Sequence, residues 1–210
     1  MDEKKTKKKP EKKNDEKSSE QLSPEEIVKY FKDKFNTKIK SAEIKKRATG
    51  SKKKEFVNIW VKIDKSIFKN FVEHLCNLTY PHLAVCSGND LGNQIELVYS
   101  FSIYYGRYLQ EISLNLCVEV PKNKPEIETI CDWIPGALIT EREKQEMLGV
   151  KIIGIPDNRR LFLPDDIPEN VYPWRKDEQT KKEIEKLYKN LHEGEKKKWV
   201  QLQKQHINFQ

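Results

Sequence analysis

The densest gathering of chemically able side chains lies between residues 138 and 177. Glu141, Arg142, Glu143 and Glu146 crowd a helical stretch, and Arg159, Arg160, Arg175 and Lys176 follow on a proline-rich segment. Carboxylates and guanidiniums at this density form charge-assisted hydrogen bonds, to one another or to a second chain. Nucleophilic or acid–base chemistry needs a base beside a nucleophile, yet His74, His82, His192 and His206 are scattered and none has such company. Cys76, Cys86, Cys117 and Cys131 are widely and irregularly spaced, without a C-x-x-C pair, so neither a zinc site nor an iron–sulfur cluster is supported. Each cysteine reads as a small buried hydrophobe, free of disulfides in a cytosolic setting.

The proline-rich segment restricts itself. Pro156, Pro164, Pro168 and Pro173 bias Ile155, Leu163, Ile167 and Tyr172 to extended geometry, which excludes helix and disfavours a central strand. Leu161, Phe162, Leu163, Val171, Tyr172 and Trp174 nevertheless give it sizeable apolar groups. An irregular arm of this kind must lay those groups on its own domain or on another subunit, and its N–H and C=O groups need partners. Trp, Tyr and Arg dominate interface energetics, so Arg159, Arg160 and Arg175 beside the apolar anchors favour a docking arm over residues 151–177. On the preceding helix, Arg142 and Glu146 stand at i, i+4 and are expected to pair, and Gly149 suits a left-handed C-terminal position.

The elements that must position this arm are legible upstream. Ser23-Pro24-Glu25-Glu26 is a capping box opening a helix with Ile27, Phe31 and Phe35 on one face. Strands are expected at 38–47 and 55–63, joined by a turn at Gly50-Ser51-Lys52; Asp64 then caps a helix striped by Phe68, Phe71, Val72, Leu75 and Cys76. Three more strands are expected near 82–87, 94–103 and 108–118. Pro125 opens a predicted helical stretch with Ile127, Ile130, Cys131 and Ile134 in phase, interrupted at Pro135 and resumed from Leu138 to Leu148. The expected class is α+β: a mixed, largely antiparallel sheet with helices packed on one side over residues 23–150, followed by the extended arm. Residues 1–22, mostly Lys, Glu, Asp and Ser, read as a disordered tail. Residues 178–210 read as a basic amphipathic helical extension, with Ile184, Leu187, Tyr188 and Leu191 in phase, suited to its own domain, a partner or an anionic membrane.

The 210 residues suffice for one core, and the net charge is +7. Residues 40–55 alone carry seven cations against Glu43 and Glu55. A basic balance points to nucleic acid, to an anionic membrane surface or to a solvated lysine-rich surface; the Lys clusters lack interleaved aromatics, which favours the last. No run of about 18 uncharged apolar residues is present and the N-terminus has no apolar leader, so a cytoplasmic protein is expected, with its membrane link made through a partner.

Glu141-Arg142-Glu143, Glu146-Met147-Leu148-Gly149, Pro156-Asp157, Arg159-Arg160, Leu163-Pro164-Asp165-Asp166 and Pro173-Trp174-Arg175-Lys176 follow one another in order over residues 141–177. This resembles the C-terminal signature of the 30 kDa subunit family of complex I. Leu-Pro-Asp-Asp with Val-Tyr-Pro and Arg-Lys-Asp looks more like the accessory subunit of membrane-bound, energy-converting nickel–iron hydrogenases; the high Lys, Ile, Glu and Asn usage fits an archaeal host. Three positions depart from the family pattern: Glu146 replaces Asp, Leu148 replaces an aromatic, and Ile155 replaces His. The resemblance implies a cofactor-free, non-catalytic subunit of the hydrophilic arm, peripheral on the cytoplasmic face of the membrane. Its partners would be the large subunit and an iron–sulfur small subunit, which hold the iron–sulfur clusters and nickel–iron. Arg159, Arg160, Arg175 and Lys176 would bond partner carboxylates or carbonyls, and Glu141 and Glu143 would receive partner cations or brace the arm. Arg142, Glu146, Phe162, Asp165, Asp166, Tyr172 and Trp174 complete the expected partner-binding set. No nucleic acid is expected on this reading. The competing class is a basic RNA- or ribosome-associated protein, resting on the pI near 9.0 and the Lys tracts at 4–13 and 52–54.

Overall fold

A computed structural model describes residues 21–49, 54–107, 110–165, 167–178, 180–186 and 189. Helix α1 (Pro24–Phe35) begins with the expected box: Ser23 Oγ accepts the Glu26 N–H at 3.2 Å and Glu26 Oε2 accepts the Ser23 N–H at 2.7 Å. Ile27 and Phe31 turn inward, and Phe31 stacks on Phe71 of α2 (Phe68–Leu78) with ring centroids 4.1 Å apart. Asp64 caps the short 3-10 turn Lys65–Ile67, through a 2.9 Å bond from the Ser66 N–H, and that turn leads into α2.

Strands β1 (Ile39–Thr49), β2 (Lys54–Ile63), β3 (His82–Asp90), β4 (Gln94–Ile103) and β5 (Ile112–Pro121) form one sheet in the order β1-β2-β5-β4-β3. Only β2 and β5 run parallel; the other neighbours are antiparallel. Register places Val61, Leu116, Tyr99 and Cys86 in one row and Ile59, Leu114 and Phe101 in the next, all buried. The period-2 alternation sends these rows to one face, and the helices cover that face. The other face is polar along its middle, where Ser100 Oγ donates to Asn115 Oδ1 at 2.8 Å. The architecture is the expected α+β layer with a mostly antiparallel sheet. No helix among the described residues is long and apolar enough to cross a membrane.

Residues 125–134 are not the expected helix. Glu126–Glu128 is a strand, β6, paired in parallel with β7 (Lys151–Ile153), and Ile127 lies opposite Ile152. The Lys151 N–H donates to Pro125 O at 2.7 Å and the Thr129 N–H to Ile153 O at 2.9 Å. A turn follows, so the helix-like spacing of Ile127, Ile130, Cys131 and Ile134 comes from a strand and a turn whose apolar groups all reach the core. Lys151–Ile153 accordingly belongs to a strand and not to the arm. The last residues of the expected tail are tied down, since the Leu22 N–H donates to Tyr104 Oη at 3.0 Å. Residues 1–20, the expected turn at Gly50-Ser51-Lys52 and most of the C-terminal extension lie outside the described residues; positions 178 and 180–186 are helical.

Helix α3 (Ala137–Leu148) lies against edge strand β3 at Gly88. A Cβ at Gly88 would meet Leu148 Cδ1 at 2.3 Å, so glycine is what lets the helix approach. This contact sets the helix from which the arm hangs.

Candidate docking surface on the third helix

Helix α3 carries its charges inward. Glu141, Arg142, Lys144 and Glu146 are all buried, with Glu141 fully inaccessible. Charged groups in such positions must be hydrogen-bonded or paired, and each of these is.

Glu141 fastens α3 to the turn after β6. Its Oε2 accepts Thr129 Oγ1 at 2.6 Å and Cys131 Sγ at 3.4 Å; its Oε1 accepts the Ile130 N–H at 3.1 Å and Tyr99 Oη at 3.5 Å. Burial pushes its carboxyl above the usual range, against the opposing pull of these donors. Arg142 forks onto the arm: Nε and Nη2 donate to Arg159 O at 2.9 and 2.6 Å, Nη2 also to Arg160 O, and Nη1 to Asp157 Oδ2 at 3.2 Å. Hydrogen bonds from Arg159, with the Arg142 charge behind them, hold the Asp157 carboxyl well below its usual range.

Glu146 does not pair with Arg142. Its carboxylate accepts three consecutive backbone N–H groups of the arm, those of Leu161, Phe162 and Leu163, the last two at 2.8 Å. The i, i+4 spacing put the two side chains on one face, but each turned to the arm, whose unpaired backbone groups supply more bonds than a lateral ion pair. Arg160 curls within the arm, donating to Pro164 O and Ile167 O at 3.0 and 2.7 Å.

The end of α3 holds the second half of the arm. Gly149 takes the expected left-handed conformation, φ 66°, and Tyr172 lies where its side chain would be: a Cβ there would fall 2.5 Å from the ring. The Trp174 N–H donates to Met147 O at 3.0 Å, and Arg175 Nε donates to Leu148 O at 2.7 Å with its guanidinium 4.4 Å over the Tyr172 ring. Lys144 pairs with Glu143 and sits 4.5 Å over the Trp174 ring.

Beyond Trp174 the chain is tied to the β3–β4 turn. Asp90 accepts Lys122 Nζ at 2.7 Å, the Lys176 N–H at 2.9 Å and the Gly92 N–H at 2.8 Å, and Lys122 also bonds Asp177 at 2.6 Å. Burial alone would push the Asp90 carboxyl up; Lys122 and the two amides override it and hold it at about 2. The ordinary value is 3.8. The stabilisation is therefore complete above 3.8 and is lost as pH falls toward 2. Asp90→Asn should flatten that part of the acid-unfolding curve followed by tryptophan fluorescence, and an unchanged curve would remove Asp90 as the anchor. Asp90, Lys122, Thr129 and Asp157 were not in the expected partner-binding set. Asp90 ends β3 and Thr129 follows β6 in a stretch expected to be helical, and no local spacing marks either.

The sequence matches the family described as respiratory-chain NADH dehydrogenase, 30 kDa subunit, over residues 61–184, more than half of the chain. The chain belongs to this family. It is 35% identical over 121 residues to membrane-bound hydrogenase subunit beta of Pyrococcus furiosus, covering 57% of this chain and 69% of that one. It is 39% identical over 98 residues to formate hydrogenlyase subunit 5 of Escherichia coli, covering 45% of this chain and 17% of that much longer protein. A structure of the membrane-bound sulfane sulfur reductase, an archaeal respiratory membrane complex, contains a chain of the same fold. The TM-score is 0.61 at 23% identity, over 79% of this chain and 91% of the other.

In this 30 kDa-type subunit the expected partner-binding residues divide. Glu141, Arg142 and Glu146 spend their hydrogen-bonding groups inside the chain, as does Arg160 in part; Tyr172 and Arg175 are half-buried against the end of α3. Glu143 is half-buried and pairs with Lys144. The outer surface keeps Arg159, Asp165 and Lys176 with Leu161, Phe162 and Trp174, the last three each between 43% and 46% exposed. Asp166 lies outside the described residues. Between arm and helix runs a cleft of about 550 Å³ bounded by Gln145, Arg160, Asp165, Glu169 and Tyr172. Among the described residues, no three His, Cys, Asp or Glu side chains gather as a metal site requires.

Proposed function

We propose that the chain is a non-catalytic structural subunit of the hydrophilic arm of a membrane-bound, energy-converting nickel–iron hydrogenase or a related NADH dehydrogenase-like complex. It docks onto the large catalytic subunit through the outer side of residues 156–176. The observation that carries this reading is the division of labour in the arm. Glu146 and Arg142 bond its backbone and Arg175 ties it to the end of α3, while Leu161, Phe162 and Trp174 remain exposed at its outer side. A pre-ordered arm loses little conformational entropy on docking, and exposed aromatics beside Arg159 are the usual anchors of an interface. Membership of the family and the similarity to membrane-bound hydrogenase subunit beta support the choice of complex. On this reading the large subunit and an iron–sulfur small subunit carry the metal centres, this subunit carries none, and it sits peripherally on the cytoplasmic face.

The test is to tag the chain in its native host, solubilise membranes gently and identify what co-purifies. A large hydrogenase-type subunit with iron–sulfur and membrane partners is the expected result. Leu161→Glu with Phe162→Glu should abolish that co-purification and leave thermal unfolding unchanged, because both side chains point to solvent. Ribosomal proteins or RNA persisting through nuclease and moderate salt would overturn the assignment.

A further inference from the structure

The β1–β2 hairpin outgrows the sheet. Pairing of β2 with β5 stops at Val57, whereas β1 and β2 continue to the pair Thr49–Lys54. The excess is a two-stranded ribbon with no third strand beside it among the described residues. It precedes the part of the chain that matches the family, which begins at residue 61, so the docking arm does not account for it.

Its surface is basic and aromatic. Register sets Arg47 opposite Phe56, Lys45 opposite Asn58 and Glu43 opposite Trp60, all on one face. Phe56 is 51% and Trp60 37% exposed, and Lys45 Nζ lies 5.5 Å from the Trp60 ring centroid. Lys46 points to the other face, where its ion pair with Glu25 at 3.1 Å is solvent-exposed. The lysines looked free of aromatics along the sequence; the strand pairing supplies them.

We propose that this ribbon seats directly on an anionic bilayer surface, with Phe56 at headgroup level and Lys45, Lys46 and Arg47 against lipid phosphates. The proposal rests on the reading of the chain as part of a membrane-bound complex, and replaces an indirect membrane link with a direct one. A base-stacking platform is the poorer fit. Phe56 and Trp60 are roughly 13 Å apart along the strand, Asn58 lies between them and a lysine covers Trp60. Nucleic acid asks for a cationic groove with closely spaced rings. Here Lys45 and Arg47 lie on one face and Lys46 on the other, which suits a planar charged surface better than a groove. An exposed phenylalanine among cations is the pattern that holds an amphipathic element at the interface.

The experiment is co-sedimentation of the full chain with vesicles of phosphatidylcholine alone and of phosphatidylcholine with phosphatidylglycerol. Binding should need the anionic lipid and weaken with salt. K45Q/K46Q/R47Q should lower it roughly a hundredfold, about fivefold per cation. The N-terminal lysines remain in that variant and serve as its internal control. Phe56→Ser should lower binding roughly tenfold, and it gives an independent readout if the triple variant fails to fold. Equal binding to neutral vesicles, or full binding by both variants, overturns the proposal. So does single-stranded RNA that displaces the vesicles and loses affinity in the same variants. If vesicle binding is lost while the large subunit still co-purifies, the ribbon proposal and the docking arm are read separately. Loss of vesicle binding in the variants then confirms the ribbon, and loss of co-purification in the arm variants bears on the arm alone.

Discussion

Glu146→Ala should detach the arm from α3 while the sheet and its helices stay folded. The carboxylate is the acceptor for the N–H groups of Leu161, Phe162 and Leu163. Hydrogen bonds to a charged acceptor contribute about 1.5–3 kcal/mol each, and three on one group add less than their sum, so a loss of about 3–5 kcal/mol in arm docking is expected. Arg142 and Arg175 still tie the arm to α3 on either side, but neither hydrogen-bonds residues 161–163. Amide hydrogen exchange at those three residues should accelerate sharply, with protection retained in β4 and β5. Protection at 161–163 equal to that of the parent would mean that packing, not Glu146, positions the arm. Glu146→Asp is the informative second variant. It keeps the charge one methylene shorter, and it should hold one or two of the three amides, giving an intermediate rate.

How far the sequence led is clear from these same residues. The capping box at Ser23, the alternation in β2 and β5, and the left-handed Gly149 were legible because each depends on neighbours within a few positions. The parallel pairing of Glu126–Glu128 with Lys151–Ile153 was not, because β7 lies beyond an intervening helix and periodicity cannot see across it. The arm was legible as an arm, since four prolines with large apolar groups leave few alternatives. Which of its charges face inward was not legible. Arg142 at the surface and Arg142 forked onto two carbonyls have the same spacing in the chain. One signal was present in part: 161–163 has no strand partner, so its amides had to find an acceptor, and Glu146 is the carboxylate one turn-end away. Conversely, the aromatic rings near Lys45 and Arg47 emerge only from cross-strand register.

Glu141 offers the sharpest separation between two substitutions at one atom. Glu141→Ala removes the acceptor of the Ile130 N–H and of Thr129 Oγ1, both inside the protein, and leaves a hole beside Tyr99. Stranding buried donors and opening a cavity together should cost about 3–5 kcal/mol in chemical denaturation. Glu141→Gln keeps a carbonyl for the Ile130 N–H, and the Thr129 hydroxyl can rotate to accept from the new amide. That variant should lie within about 1 kcal/mol of the parent near neutral pH, because it also abolishes the cost of burying a charge. The pH dependence gives the sign. Burial raises the folded carboxyl above 4.5, so its contribution is greatest below that value and declines as pH climbs through the raised one. Denaturation midpoints of the parent should therefore drift down over that interval relative to Glu141→Gln, which has no proton to lose. A parallel pH profile for the two proteins would show that the carboxylate ionises there at no cost, its four donors offsetting its burial.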